Sequence, residues 1–339
     1  MRALVTGGGG FLGGAILRRL LEQGHEVVSL ARGDYPELRD LGARTIRADL
    51  CDVHMVIEAA AGCDVVFHVA AKAGVWGREK DFYDANVTGT ASVLAACRAH
   101  GIPKLVYTST PSVIHGGGDI EGGDHTLPYP EHFEAPYPAT KAIAERAVLA
   151  ANGPELATVA IRPHLIWGPG DTNLGPKLLA RSRAGRLRLV SAPGKRVDAC
   201  YIDNAVDAHL LAAERLAPDA PCAGRAYFVT NDEPEPAADI INGILGAAGE
   251  PPCERFLPAG VAYAVGWLME LAWRVFRLAD EPPMTRFLAK QLATSHYYDI
   301  TATREDLGYS PRVSTAEGME RLAAWYRARA EHTATTLSG

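Results

Sequence analysis

Tyr137 and Lys141 are a pair whose residue types and spacing suggest acid–base chemistry. Side chains four residues apart lie on one face of a helix, so a phenol and an ammonium group would be neighbours there. Free tyrosine has a pKa of about 10, and a nearby positive charge favours the phenolate. We therefore predict that Lys141 lowers the pKa of Tyr137 and makes it usable as a proton donor. The spacing alone also fits a surface tyrosine beside a helical lysine, so the surrounding elements must decide.

Three consecutive hydroxyl residues, Thr108, Ser109 and Thr110, close a predicted strand over Lys104–Thr108. Doubly wound sheets bind their ligands at the carboxyl ends of parallel strands. We expect one of these hydroxyls to hold a substrate oxygen near Tyr137.

The sequence begins with a pattern typical of dinucleotide binding. A short apolar strand, Arg2–Thr6, leads directly into a glycine-rich turn, and helical spacing follows over Ala15–Gln23. Strand, glycine turn and helix form the setting that a dinucleotide fingerprint requires. The first glycine allows the tight turn, the second lets the backbone approach a pyrophosphate, and the third permits close packing, while the helix N-terminus faces the phosphates. The residues predicted to contact the cofactor here are Gly7, Gly10, Phe11, Leu12 and Gly13.

The end of the second predicted strand, Glu26–Leu30, bears on the choice of cofactor. NAD sites usually place an acidic residue about 20 residues after the glycines, to bind the ribose 2′-hydroxyl. This sequence has Ala31 followed by Arg32, and a guanidinium can pair with a 2′-phosphate. NADP(H) is therefore favoured. If Arg32 is only a solvated loop residue and Asp34 meets the ribose, the protein would use NAD(H) or both cofactors.

Two further predicted strands, Arg44–Ala48 and Asp64–Val69, end in residues that could line the cleft that would hold the cofactor. Asp49 either meets the adenine or caps the helix that follows. His68 is predicted to be a hydrogen-bonded core histidine, and Asn86 either bonds backbone across the sheet or caps locally. Small residues after the fourth strand would let a cofactor lie close. The cleft residues predicted from these segments are Asp49, Leu50, Ala70, Ala71 and Lys72.

Composition excludes several classes of protein. The chain has 339 residues, 47% of them hydrophobic, enough for one large domain or two unequal ones. The net charge of −6, without a basic block, argues against nucleic acid as a partner. The six cysteines form no C-x-x-C pair and the histidines no H-E-x-x-H motif, so we expect reduced thiols and no metal site. We expect no signal peptide and a cytoplasmic protein, because residues 2–6 already read as a strand.

In combination, these motifs resemble the extended short-chain dehydrogenase/reductase superfamily, and within it the 3β-hydroxysteroid dehydrogenase branch. The resemblance covers nearly the whole chain. It rests on T-G-G-G-G-F-L-G (6–13), A-D-L (48–50), H-V-A-A (68–71), N-V-T-G-T (86–90), Y-T-S-T (107–110), Y-P-A-T-K (137–141) and R-P-H-L-I-W-G-P-G (162–170), with A-A-K-A-G-V-W-G (70–77) and E-P-P-M-T-R-F-L-A (281–289) typical of the branch.

The resemblance implies an α/β fold, with a doubly wound parallel sheet of Rossmann type and a smaller C-terminal substrate-binding domain, in a homodimer. Residues 1–165 would form mainly the dinucleotide-binding domain and residues 166–335 mainly the substrate-binding domain, with 197–232 returning to the core sheet. Tyr137 would be the general acid, and Lys141 would hold the nicotinamide ribose. Thr110 would hold the substrate carbonyl, with Ser109 as the second candidate. Pro163 and His164 would line the nicotinamide pocket, although His164 could serve packing alone.

The same resemblance implies reduction of a long-chain 2-alkyl-3-oxoalkanoate to the 2-alkyl-3-hydroxyalkanoate with NADP(H), a step of olefin biosynthesis, so the substrate would be lipid-like. The alternative enzyme is an NAD-dependent 3β-hydroxysteroid or sterol-carboxylate dehydrogenase. A non-catalytic cofactor-sensing protein could also use this fold.

Residues 256–278 form an apolar, aromatic segment interrupted by Glu270, Arg274 and Arg277. A membrane span needs about 20 predominantly apolar residues with few charges, which this segment does not provide. We predict an amphipathic lid over a greasy substrate pocket. Contact with a membrane surface or a pathway enzyme, and an ordinary core helix, are the alternatives.

Overall fold

Alternating buried strands and helices build a central parallel sheet in a computed structural model, which describes residues 1–278 and 280–337. The strands are β1 (Arg2–Thr6), β2 (Glu26–Ala31), β3 (Arg44–Arg47), β4 (Val65–His68), β5 (Lys104–Thr108), β6 (Ile120–Gly123), β7 (Ala157–Pro163), β8 (Ile166–Trp167), β9 (Leu189–Ser191), β10 (Cys200–Tyr201), β11 (Arg225–Val229), β12 (Phe256–Pro258) and β13 (His296–Tyr298).

The helices include an early run that alternates with the strands and a later run that follows β7. They are α1 (Phe11–Glu22), α2 (Pro36–Asp40), α3 (Val53–Ala60), α4 (Glu79–Tyr83), α5 (Gly89–His100), α6 (Pro136–Ala150), α7 (Leu174–Arg183), α8 (Ile202–Arg215), α9 (Ala237–Ala247), α10 (Ala259–Val275), α11 (Arg286–Ala293), α12 (Thr301–Leu307) and α13 (Thr315–Leu337). A π-helical turn over Asp84–Thr88 leads into α5, and a 3₁₀ turn over Pro111–Ile114 follows β5.

The main sheet has seven parallel strands in the order β11-β7-β5-β4-β1-β2-β3. Helices cover both faces of such a sheet, so its strands read as nearly continuous apolar runs. All seven residues of β7 are buried, for example. The predicted α/β, doubly wound fold is confirmed.

The strand order reverses between β1 and β4, where the chain crosses from one half of the sheet to the other. Ligands bind doubly wound sheets beyond the carboxyl ends of the strands at such a point. Register places Thr6 of β1 beside His68 of β4, and His68 beside Tyr107 of β5. The loops after these strands therefore meet at one edge of the sheet.

Helix α1 begins at Phe11, four residues before the predicted start, because Gly10 is already its N-cap. The glycine turn is thus shorter than the sequence suggested, and the helix N-terminus lies closer to the sheet edge.

Three two-stranded sheets pair β8 with β10, β9 with β12 and β6 with β13, joining distant parts of the chain.

Helix α10 covers most of the predicted lid segment. Its buried positions are Ala262, Gly266 and Glu270, whereas Trp267 and Leu268 on the outer side are 50% and 57% exposed. These apolar side chains thus face outward, so α10 does not have the apolar inner face that the predicted lid would need. No helix in the described part of the chain is long and apolar enough to cross a membrane.

Candidate active site

A cavity of about 760 Å³ opens at the carboxyl edge of the sheet, at the reversal of strand order. The structure brings most of the predicted site residues to its wall, from the glycine turn to the first turn of α6. The predicted residues that line it are Gly7, Gly10, Phe11, Leu12, Gly13, Arg32, Asp49, Leu50, Ala70, Ala71, Lys72, Ser109, Thr110, Tyr137 and Pro163. Lys141 and His164 do not line it.

The glycine turn is shaped by contacts that leave no room for a side chain. Gly7 has a φ of +72°, which L side chains rarely adopt. A Cβ added to Gly13 would lie 2.3 Å from the carbonyl oxygen of Gly7, so α1 packs directly on the turn. The amide of Gly10 donates to the same carbonyl at 2.8 Å. The result is a tight backbone cradle at a helix N-terminus, which fits the pyrophosphate of a dinucleotide.

Replacing Gly13 with alanine is expected to displace this turn and lower cofactor affinity at least about tenfold, because overpacking against backbone typically costs about 1–3 kcal/mol. Titration of the purified variant with reduced cofactor measures the loss. Gly246→Ala is the matched control, since Gly246 lies in α9 with nothing within 4 Å of an added Cβ. Wild-type cofactor affinity in Gly13→Ala would contradict the role of the turn.

Arg32 and Asp34, the two candidates for the ribose, differ in their availability. Asp34 is paired with Arg39, whose guanidinium also donates to Thr45 at 3.3 Å. The backbone carbonyl of Arg32 accepts from Arg47 at 3.0 Å, while the guanidinium of Arg32 has no partner among the described residues. The guanidinium of Arg32 is thus available to bind a ligand, whereas the carboxylate of Asp34 is already bound by Arg39.

Tyr35 is a cleft residue that the sequence reasoning missed. A Cβ on Gly9 would lie 2.1 Å from Tyr35 Cζ, so the ring lies flat on the glycine turn. The same ring is within 2.8 Å of a Cβ position on Gly33. The signal in the sequence was weak, since a tyrosine three residues after Arg32 matches no motif.

Asp49 lines the cleft and does not cap α3. Its Oδ1 accepts from the amide of Cys51 at 2.9 Å, whereas Asp52 accepts from Met55 at 3.2 Å and is the cap. The structure therefore agrees with the interpretation of Asp49 as a cleft residue and not with its interpretation as a helix cap.

His68 is a core histidine, as the sequence predicted. Its ring is 1% exposed, with Thr6 at 2.7 Å from Nδ1 and Thr90 at 2.9 Å from Nε2. Burial, with a smaller effect of the Lys141 charge, lowers the pKa of His68 to about 3. The imidazole is therefore neutral and holds β1, β4 and the start of α5 together.

Asn86 clamps the loop after β4. Its Oδ1 accepts from the amide of Lys72 at 2.7 Å, and its Nδ2 donates to the carbonyl of Lys72 at 3.1 Å. The same Nδ2 donates to Thr140 Oγ1 on α6 at 3.0 Å. Of the two interpretations of Asn86, cross-sheet backbone bonding is the one observed, and it fixes Lys72 relative to the helix that carries Tyr137.

Tyr137 lies in the first turn of α6, where Ala135 is the N-cap and Pro136 the first helical residue. Proline is favoured there because the first turn has no partner for its amide. Tyr137 and Lys141 are therefore both helical and on one face, as their spacing predicted.

The predicted lowering of the tyrosine pKa is wrong for this structure. Burial raises the pKa of Tyr137 above 10, and a hydrogen bond from Thr110 offsets the rise only in part. Lys141 does not counter the rise, because its Nζ donates to the Thr108 carbonyl at 2.6 Å and not to the phenol. The phenol thus keeps its proton at neutral pH, as a general acid for reduction requires.

Lys141 is only 1% exposed and lies behind the wall of the cleft. Burial lowers its pKa to about 7, and the charge of Glu145 acts in the opposite direction. Its Nζ also lies 4.1 Å from the centre of the Tyr107 ring, a favourable cation–π distance. A small movement of the ammonium away from Thr108 would be needed for the predicted contact with a nicotinamide ribose.

A buried ion pair behind Lys141 was not predicted. Arg162 of β7 donates to Glu145 of α6 through Nη2 at 2.6 Å and Nε at 2.9 Å, and Tyr129 donates to the same carboxylate at 2.6 Å. Glu145 is 0% and Arg162 2% exposed. The signal was present, since Glu145 follows Lys141 by four residues on the same helix face and Arg162 is a charge inside an apolar strand.

Thr110 stands at the end of β5 and caps the 3₁₀ turn, where its Oγ1 accepts from the amide of Ser112 at 3.2 Å. Its side chain also lowers the pKa of the Tyr137 phenol, against the larger effect of burial. Ser109 lines the same wall, and its amide donates to the carbonyl of Ile161 at 2.6 Å. Both hydroxyls thus stay candidates for the substrate carbonyl, and Thr110 is the one that affects the pKa of Tyr137.

His164, predicted to contact the cofactor, does not line the cleft, although Pro163 and Leu165 do. Its Nδ1 is 2.6 Å from Asp198, and its Nε2 is 3.2 Å from the ring of His296. Buried Asp198 also accepts from the amide of Tyr298 at 2.9 Å, so the ring is drawn away from the cleft by a charged partner. Only the packing interpretation of His164 agrees with this geometry.

No group of three or more metal-binding side chains occurs among the described residues. The cleft is lined by the glycine cradle, by Arg32, and by Tyr137 with Thr110.

Comparisons with known proteins place this geometry in context. A model of the 3-beta hydroxysteroid dehydrogenase/isomerase family matches residues 4–252. A 2-alkyl-3-oxoalkanoate reductase of Stenotrophomonas maltophilia (strain K279a) is 54% identical over 326 residues, covering 96% of this chain and 99% of that protein. A protein of the same name from Shewanella oneidensis is 51% identical, covering 95% and 85%. The human sterol-4-alpha-carboxylate 3-dehydrogenase, decarboxylating, is 36% identical, covering 96% and 88%.

Solved structures with this fold cover nearly the whole chain. The protein gox2253 is similar with a TM-score of 0.75 and 26% identity, over 96% of this chain and 98% of that one. A UDP-glucuronic acid 4-epimerase from Bacillus cereus, solved in complex with NAD, has a TM-score of 0.72 and 22% identity, over 97% and 99%. At that identity, the second likeness supports the fold alone.

Proposed function

Because the chain belongs to the 3-beta hydroxysteroid dehydrogenase/isomerase family and is an oxidoreductase, we propose that it uses NADP(H) to reduce a long-chain 2-alkyl-3-oxoalkanoate. The product is the 2-alkyl-3-hydroxyalkanoate, an intermediate on the way to a long-chain olefin. The observation that carries the proposal is the cleft that joins the glycine cradle to Tyr137 and Thr110. Relatives at 54% and 51% identity support the substrate class.

The glycine turn and the start of α1 would hold the pyrophosphate, since they line the cleft and the first N–H groups of a helix have no partner within the helix. When bound, the nicotinamide supplies the hydride. Tyr137 would donate its phenolic proton to the substrate oxygen as negative charge develops there, and its raised pKa keeps that proton available. Thr110 would donate a hydrogen bond to the same oxygen and hold the carbonyl in place.

The direct test follows the absorbance of reduced nicotinamide with purified protein, NADP⁺ or NAD⁺, and either a racemic 2-alkyl-3-hydroxy fatty acid or a 3β-hydroxysteroid. The proposal expects turnover of the fatty acid, faster with NADP⁺ at low cofactor concentration. Turnover of the steroid alone would overturn the substrate class while keeping the oxidoreductase assignment.

Arg32 carries the NADP(H) part of the proposal. Replacing it with serine is expected to weaken NADPH binding about tenfold and to leave NADH binding nearly unchanged, because a charge-assisted contact with the 2′-phosphate is lost. Fluorescence titration with both reduced cofactors measures the ratio. Arg98→Ser, at an exposed position on α5, is the control for loss of an arginine elsewhere. Equal wild-type affinity for the two cofactors would contradict the assignment.

A further inference from the structure

A second cavity, of about 690 Å³, adjoins the cleft. Its wall is formed by the loop after β4, the inner side of α10 and the residues beside Tyr137, including Pro136. Lys72 lines both cavities, so it stands where they meet. A substrate that reaches Tyr137 from this side would pass Lys72.

The wall of this second cavity is charged. Four cationic side chains line it, together with three carboxylates. Each carboxylate has a cation of its own, and two of those cations come from outside the lining. The pairs are Asp81 with Arg78 at 2.9 Å, Glu134 with Lys290, and Glu270 with Arg286 at 2.8 Å.

The remaining cations are poorly neutralised. Lys72 Nζ is 3.6 Å from a carboxylate that Arg78 already holds. Arg274 is 3.9 Å from Glu270, but that carboxylate already accepts two closer hydrogen bonds from Arg286. The guanidinium of Arg274 also lies 5.6 Å from the centre of the Trp76 ring. Arg277 has no charge partner among the described residues. The cavity therefore presents spare positive charge and is suited to an anion.

Lys72 is the best placed of these cations, because its backbone is clamped beside α6. Asn86 bonds both its backbone amide and its carbonyl, and ties them to α6. The ammonium lies 5.2 Å from the centre of the Phe82 ring, which restricts the side chain on the cavity side. The backbone of Lys72 is therefore held next to Thr140, which lies three residues after Tyr137 on α6.

We propose that Lys72 binds the carboxylate of the substrate at the junction of the two cavities. The inference rests on the proposed function and deepens it. In a 3-oxo acid, a single carbon separates the carboxyl group from the oxo carbon that Tyr137 serves. A carboxylate anchor must therefore lie beside the acid catalyst, and Lys72 is the one cation among the described lining residues that the two cavities share. Arg274 and Arg277 add positive potential that draws the anion inward.

The test compares a 2-alkyl-3-hydroxy acid with its methyl ester, both oxidised with NADP⁺. The wild-type protein is expected to prefer the acid in kcat/KM by at least about tenfold, since a charge-assisted hydrogen bond contributes about 1.5–3 kcal/mol. Lys72→Met is expected to reduce that preference about tenfold or more, mainly through KM for the acid. Lys72→Arg keeps the charge and is expected to recover most of it.

Lys80→Met is the matched control. Lys80 is an 81% exposed lysine paired with Asp84 outside both cavities, so its loss should leave the acid-to-ester ratio as in the wild type. An unchanged ratio in Lys72→Met would overturn the inference, and so would a rise in KM for NADP⁺ with the ratio preserved, which would assign Lys72 to the cofactor. A wild-type protein inactive on both acid and ester would instead overturn the proposed function, and this inference with it.

Discussion

Replacing Tyr137 with phenylalanine is expected to lower kcat by about 10²- to 10⁴-fold while cofactor affinity stays close to that of the wild type. A positioned general acid contributes about that factor, and the variant lacks only the phenolic oxygen. The ring itself is retained, so the packing of the first turn of α6 should be preserved. The loss should appear in kcat with little change in KM for the cofactor, because the glycine cradle and Arg32 are untouched.

Single-turnover measurements of the nicotinamide absorbance, beside cofactor titrations, separate chemistry from binding in this experiment. Tyr83→Phe is the control, since Tyr83 is a 47% exposed tyrosine on α4 outside the cleft. If an active preparation of Tyr137→Phe kept full turnover, the proton would come from another group and the assignment would fail.

Replacing Glu145 with glutamine is expected to lower the free energy of unfolding by about 3–5 kcal/mol. Removing one partner of a buried ion pair leaves the other charge uncompensated, and here that charge is the guanidinium of Arg162. The amide can still accept one hydrogen bond from Arg162, but it cannot balance the charge. The change also removes the carboxylate that raises the pKa of Lys141, so the pKa of Lys141 should fall further below its usual value.

Urea unfolding at neutral pH measures the stability change. The double variant Glu145→Gln with Arg162→Met removes both charges and should lose less stability than the single variant. Glu214→Gln, an exposed acid on α8, should fall within about 0.5 kcal/mol of the wild type. A loss below about 1 kcal/mol in the single variant would mean that the buried pair is energetically equivalent to a surface pair.

The sequence predicted the parts of this protein that depend on local pattern. Apolar runs between amphipathic helices indicated the parallel sheet, and the glycine turn after β1 indicated the cradle, because both are set by neighbours in the chain. His68 was placed correctly because a histidine inside a buried strand needs hydrogen-bond partners. The spacing of Tyr137 and Lys141 gave their shared helix face.

The errors concern interactions between distant segments. The pKa of Tyr137 depends on its burial in the assembled site and on which acceptor the Lys141 ammonium group bonds. A four-residue spacing determines neither. His164 was drawn away from the cleft by Asp198, which lies 34 residues later in the chain. The charged cavity under α10 could not be foreseen either, because its wall combines residues from the loop after β4 with residues near position 277.

The position of β11 has a consequence for how the protein is made. β11 covers the outer edge of β7, yet it is synthesised only after β8, β9, β10 and α8. Until then, the growing chain carries β7, whose residues are all buried in the folded protein, as an edge strand, which is a template for pairing with other chains. A truncated product that ends near residue 165 would keep this edge exposed permanently. The main sheet is therefore completed only when the chain returns to it at residue 225.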